Sequence, residues 1–269
     1  MSDPRPIGIF DSGVGGLTVT GAIFHALPRE STLYFGDTAR VPYGPKSPET
    51  VRRYSLEILH YLVGQGVKLV TVACNTSTAH ALEALKAESP VPVVGVIEPG
   101  ARAAVGASRT GRIGVIGTAG TIASGAYTRA IHALRPDARV EAAACPLFVP
   151  LVEEGWFDHP ATELVAREYL APLVEAQVDV VVLGCTHYPL LKPLLARVLG
   201  PGVTLVDSAE ETARAVAKVL GEQGLAEPKG APLTHRFAVS DDPTRFTTVG
   251  SRFLGERLSG VEVVSVERS

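Results

Sequence analysis

Val67–Thr76 (VKLVTVACNT) and Val178–His187 (VDVVVLGCTH) carry the same pattern: a run of β-branched apolar residues, a small residue, a cysteine and then short polar side chains. A run that is apolar on successive residues predicts a strand covered on both faces, as in a parallel sheet with helices on each side. Working outward, Ile7–Ser12 (IGIFDS) is echoed by Ile113–Thr118 (IGVIGT), so the chain holds an internal repeat. Each repeat has one strand ending in a small polar loop and another ending in cysteine. Further strands are expected at Thr32–Phe35, Val93–Ile97, Val140–Ala143, Val203–Val206, Arg236–Val239 and Val261–Val266, alternating with helical patterns. The expected fold is α/β: two pseudo-symmetric α/β domains with mainly parallel sheets, facing each other across a central cleft. The boundary is placed near Glu98-Pro99-Gly100, with a return near Ser208. This gives one domain from residues 1–98 plus 208–269 and another from 99–207.

Helix starts are marked by Ser47-Pro48-Glu49, by a capping box at Ser208–Glu211 and by Asp242-Pro243. The Gly- and Pro-containing stretch Gln223–Thr234 is expected to be an exposed loop. The 269 residues are 46% apolar and 20% charged, which suits a packed soluble globule. A net charge of −3 gives no basic footprint, arguing against nucleic acid or an anionic membrane as partner. No apolar run reaches the roughly 18–20 residues of a membrane span, and the N-terminus shows no secretory signal, so a cytoplasmic protein is expected. The three cysteines, Cys74, Cys145 and Cys185, are widely spaced and form no CxxC, which speaks against a disulfide framework or a metal cluster.

Asp11–Thr18 (DSGVGGLT) lies between a strand and a helix. It lacks the Gly-Lys-[Ser/Thr] of a phosphate-binding loop, and Thr18 stands where a dinucleotide fingerprint needs glycine. Two readings remain: an anion site made by backbone N–H groups, or a tight turn with Asp11 capping the helix. Cys74 sits where a strand ends and a helix begins, a position of positive dipole that lowers a thiol's pKa below about 8.5. Cys185 occupies the equivalent place in the second half, followed by Thr186 and His187. Cys145 has no such context and reads as a buried small residue. The loop Gly36–Gly44 (GDTARVPYG) is either a ligand-contacting loop or a plain turn, and Glu153-Glu154 either a cleft carboxylate or a solvated helix end. Two thiols at matching strand ends are hard to explain by packing. A disulfide oxidoreductase wants them adjacent, and a cysteine hydrolase wants one nucleophile with a His partner. Inversion at a carbon centre wants two acid/base groups, one on each side, with pKa values near the working pH.

Ile7–Thr18, Gly36–Gly44, Ala73–Thr76, Gly95–Gly100, Ile113–Thr118 and Leu183–Leu191, in this order, resemble the glutamate racemases, members of the cofactor-independent aspartate/glutamate racemases. The resemblance runs from Ile7 to about Ser208. It implies interconversion of L- and D-glutamate without cofactor or metal, supplying D-glutamate for peptidoglycan. It implies Cys74 and Cys185 as the paired proton donor and acceptor, assisted by Asp11 and His187, with Glu153 supporting the second cysteine. Asp11, Ser12, Tyr43, Gly44, Asn75, Thr76, Thr186 and His187 are the implied substrate contacts. It also implies a homodimer, though the arrangement varies among members. Control by a cell-wall precursor, linked in some members to a long N-terminal extension, is not expected with six residues before Ile7. Aspartate racemisation, cysteine hydrolysis and non-catalytic amino-acid binding are the competing readings.

Overall fold

The structure is a computed structural model describing residues 3–228, 230, 232–254 and 258–266. In chain order the strands are β1 (Ile7–Asp11), β2 (Thr32–Gly36), β3 (Leu69–Val72), β4 (Val93–Gly95), β5 (Arg112–Gly117), β6 (Arg139–Ala144), β7 (Val180–Gly184), β8 (Thr204–Asp207), β9 (His235–Val239) and β10 (Val261–Val263). The helices are α1 (Leu17–Ala26), α2 (Pro48–Gly64), α3 (Asn75–Glu88), α4 (Ile97–Ala107), α5 (Ala119–Ala123), α6 (Ala126–Leu134), α7 (Phe148–Glu153), α8 (Pro160–Glu175), α9 (Lys192–Leu199), α10 (Ser208–Gln223) and α11 (Pro243–Leu254). A six-stranded sheet runs β10-β9-β2-β1-β3-β4, and a four-stranded sheet runs β6-β5-β7-β8. Every pairing in both is parallel.

The expected α/β architecture with two parallel sheets is therefore present. Strands β1, β2, β3 and β7 are buried at every residue, matching their unbroken apolar runs. One apolar cluster runs from Ile7 and Leu17 through Val216 and Ala104 to Ile113 and Val180, so both sheets share a core. Helix α10 packs on α1 and α4, and α4 packs on α6.

Some local expectations are corrected. The strand expected at Val93–Ile97 ends at Gly95, and Ile97 opens α4, which contains Glu98, Pro99 and Gly100. The N-cap of α10 is Asp207, whose carboxylate accepts the Ala209 N–H at 3.1 Å; the expected capping box at Ser208 does not form. An acidic side chain at the helix start satisfies an orphan donor and complements the dipole more strongly than a hydroxyl. Ser47 does cap α2, accepting the Thr50 N–H at 3.3 Å, and α11 spans Pro243–Leu254 as expected. The stretch expected as a loop begins one residue later, after Gly224 ends α10 in the left-handed region, and Lys229 and Ala231 lie outside the described residues.

A buried charge pair fastens the C-terminal return to the first sheet. Lys68 Nζ lies 2.6 Å from Glu30 Oε2 and donates to the Asp3 carbonyl at 2.7 Å, with Lys68 wholly buried. Glu30 Oε1 accepts the Glu227 N–H at 2.8 Å, and Glu227 Oε2 accepts the Ser31 N–H at 2.7 Å. Lys68→Met leaves Glu30 as an unpaired buried charge and should cost roughly 3–5 kcal/mol. Urea denaturation checks this; a loss below about 1 kcal/mol would place the pair among those that contribute little.

Candidate active site

The loops that follow β1, β3, β5 and β7 converge at the carboxyl ends of the two sheets. Asp11 closes β1 and is buried, with Oδ2 accepting the Gly13 N–H at 2.9 Å. Its carboxylate also takes a backbone hydrogen bond from Gly16, the N-cap of α1, so Asp11 ties the turn to the helix start. The glycines are explained by close approach. A Cβ on Gly15 would lie 2.3 Å from Thr186 Oγ1, and one on Gly16 would lie 2.5 Å from the Asp11 Cβ. The turn is thus pressed against the second half of the chain. Thr186 Oγ1 donates to Asp11 Oδ1 at 3.5 Å, and Thr18 Oγ1 donates to the Thr186 carbonyl at 3.2 Å.

Cys74 follows β3 as the N-cap of α3. Its Sγ accepts the Ser77 N–H at 3.4 Å and donates to Ser12 Oγ at 3.6 Å. The expected lowering of this thiol does not hold. Burial, followed by the nearby Asp11 charge, pushes Cys74 up to about 11, outweighing the hydrogen bonds at the helix start. The helix dipole contributes a partial charge, whereas losing water around a full thiolate costs more.

Cys185 follows β7 and faces His187, with Sγ 3.9 Å from Nδ1. On the other side of the ring, Nε2 lies 3.0 Å from Glu153 Oε1. Burial opposes charge on His187, but its hydrogen bonds to Cys185 and then Glu153 prevail and raise the imidazole to about 10. Glu153 ends α7; burial works to raise its carboxyl, yet the bond from His187 and the charge of Arg245 hold it below the usual carboxylate range. Asp11 is raised by burial, with His187 as the main opposing charge. Cys145 is buried in an apolar cluster with Phe148 and Tyr188.

The remaining expected contacts gather at the same place. The Tyr43 hydroxyl donates to Asp37, which also takes Arg40 Nε at 2.7 Å and Ser240 Oγ at 2.9 Å. Tyr43 is therefore held by its ring, and the Gly44 carbonyl accepts the Gly120 N–H at 2.9 Å. Asn75 Oδ1 accepts from the Tyr127 hydroxyl at 2.7 Å, while Asn75 Nδ2 is buried with no hydrogen-bond partner among the described residues. Thr76 Oγ1 lies 2.9 Å from Thr118 Oγ1 and 3.2 Å from Thr121 Oγ1. Asp37, Thr118 and Thr121 were not among the expected site residues. For Thr118 the signal was present, since it matches Ser12 in the repeat.

Two cavities flank this cluster. One of about 380 Å³ is lined by Val41, Gly44, Thr118, Pro146, Val149 and Glu153 among others, and one of about 200 Å³ by Gly13, Val14, Glu153, Arg245 and Phe246 among others. Neither lining includes a thiol. Among the described residues, no group of three or more His, Cys, Asp and Glu side chains is arranged to hold a metal, and no helix is long and apolar enough to cross a membrane. The arrangement places one thiol at a strand end in each half, Cys74 bonded to Ser12 and Cys185 beside His187, with the Thr186–Asp11 bond crossing between the halves.

Comparison with known proteins places this geometry in a family. Residues 7–216 match the model for Asp/Glu/hydantoin racemases. A glutamate racemase from Geobacter metallireducens is 59% identical over 98% of this chain and 97% of its own. The crystal structure of a glutamate racemase from Bacillus anthracis superposes with a TM-score of 0.93 at 41% identity, covering 97% of each chain. A Francisella tularensis glutamate racemase crystallised with D-glutamate gives a TM-score of 0.93 at 37% identity, covering 98% of this chain and 99% of that one. The chain belongs to the Asp/Glu/hydantoin racemase family.

Proposed function

We propose that this protein interconverts L- and D-glutamate by a cofactor-independent, two-base mechanism in which Cys74 and Cys185 exchange protons with the two faces of Cα. The observation that carries this reading is the pairing of two thiols at equivalent strand ends of two halves that are joined beside them by the Thr186–Asp11 hydrogen bond. Glutamate as substrate is supported by the relatives at 59% and 37% identity, the second of which holds D-glutamate.

The two thiols have different neighbours. Cys74, pushed up to about 11, is a thiol at neutral pH and is suited to deliver a proton. Cys185 lies beside His187, whose imidazole keeps its proton up to about 10, so the acid/base partner of this cysteine is a cation held against Glu153. In the reverse direction the roles exchange. The Cα proton is weakly acidic, so the developing carbanion needs fixed donors around the carboxylate groups. The unpartnered Asn75 Nδ2, the hydroxyls of Ser12, Thr76 and Thr186, and the backbone of Tyr43-Gly44 supply them. Asp11 takes the ammonium group. The product serves peptidoglycan synthesis, and the resemblance to glutamate racemases supports a cytoplasmic homodimer.

L- and D-glutamate have equal energy, so kcat/KM must be equal in the two directions for any variant. Cys74→Ser and Cys185→Ser should each lose racemisation both ways, by on the order of 10²–10⁴-fold. With a glutamate analogue carrying a good leaving group at Cβ, each variant should still eliminate from one enantiomer alone. Full turnover in either variant, measured by circular dichroism on folded protein, contradicts the two-base assignment.

The His187 contacts also carry a stability signature. A histidine raised from 6.5 to about 10 contributes stability that is fully present below pH 6.5 and is lost as pH rises towards 10. The Tm difference between wild type and His187→Asn should be largest near pH 6 and shrink steadily by pH 10. A difference that grows with pH would mean that His187 is held neutral.

A further inference from the structure

Helix α11 belongs to the first sheet's side of the molecule, yet it reaches the Cys185 side of the site. It packs against α1 and β10, with Phe246 and Val249 in the shared core. From that base Arg245 Nη2 lies 3.5 Å from Glu153 Oε2 and 3.6 Å from Glu154 Oε1. One turn from its end, Arg252 Nη1 donates to the backbone carbonyl of Glu153. The turn that follows is shaped for this contact: Gly155 has φ +79°, and a Cβ there would lie 3.1 Å from Arg252 Nη1. Phe253 sets its ring edge-on to the His187 imidazole at a centroid distance of 5.8 Å. The helix thus touches the carboxylate, the backbone and the ring that make up the Glu153–His187 pair.

We propose that Arg245 is a positioning residue for the Cys185 side of the site, holding the Glu153 carboxylate against His187 Nε2 while Arg252 anchors the Glu153 backbone through its carbonyl. The consequence for catalysis rests on the two-base reading above. Glu153 ends a six-residue helix and is one-fifth exposed, so nothing in α7 itself fixes its rotamer. Arg245 on Oε2 leaves Oε1 directed at His187. The charge balance points the same way. Glu153 is faced by His187 from the loop after β7, by Arg245 and Arg252 from α11 and by its neighbour Glu154. Asp241 and Asp242, ahead of α11, line the same cavity of about 200 Å³. With Arg245 removed, Glu153 loses one of its cations while its acidic neighbours stay, so it protonates at higher pH and its hold on His187 weakens. Arg245 is 57% exposed, so the effect is screened by salt and should be read at low ionic strength.

The test compares wild type, Arg245→Ala and Arg245→Lys by two readouts. The Glu153 carboxyl titration, followed by ¹³C NMR, needs no turnover. The pH profiles of kcat and KM for glutamate report the consequence for the reaction. In Arg245→Ala the Glu153 titration and the acid limb of kcat should both move up, by up to about one unit, with up to a tenfold loss of kcat on the acid side. KM should change by less than about twofold, and Arg245→Lys should return both readouts most of the way because it keeps the charge. An unchanged Glu153 titration in Arg245→Ala overturns the proposal, as does an equal, pH-independent loss in the Ala and Lys variants. If wild type racemises no glutamate while the titration moves as stated, the positioning role stands and the two-base reading fails.

Discussion

Loss of water around ionisable groups is the constraint on which the site depends. Asp11, Cys74 and His187 are all buried where the two halves meet, and each must carry a proton or a charge without solvent. The neighbours answer this differently on the two sides. Around Cys74 there are a hydroxyl, one backbone N–H and an acidic neighbour, so the protonated thiol is favoured. Around Cys185 there is an imidazole backed by a carboxylate, itself backed by arginine, and that imidazole keeps its proton up to about 10. A pseudo-symmetric scaffold thus holds an asymmetric pair of thiols.

The fold was largely legible because its signals are local. Unbroken apolar runs announced β1, β2, β3 and β7, and the Ser47-Pro48 and Asp242-Pro243 pairs announced α2 and α11. The end of β4 was less legible, because the apolar run Val93–Ile97 continues past Gly95 into the first residue of α4. Likewise, Ser208 and Glu211 satisfy a capping-box pattern, but Asp207 one residue earlier is the better cap.

The site was legible only where an internal repeat duplicated it. Cys74 and Cys185 stood out as a matched pair, and the same logic would have paired Ser12 with Thr118. What one position cannot reveal is the competition among long-range effects. The start of α3 pulls the Cys74 thiol down and burial pushes it up, and the winner depends on residues far away in sequence. The glycine-rich turn after β1 shows the same limit. Its glycines read in sequence as an anion cradle or a tight turn, and the sequence does not show the close approach that requires two of them, Gly15 against Thr186 and His187 and Gly16 against Asp11 and Tyr34. Arg245 and Arg252 gave no sequence signal, since their partner at Glu153 lies roughly a hundred residues away.

The most direct measurement is incubation of L-glutamate with the purified protein in buffered D₂O, with no cofactor added. Optical activity is followed by circular dichroism and Cα deuteration by NMR. The account predicts that the optical signal decays to zero while deuterium enters Cα, with the product enantiomer labelled as it forms. An unchanged signal with no deuterium incorporation, on protein shown to be folded, would contradict it.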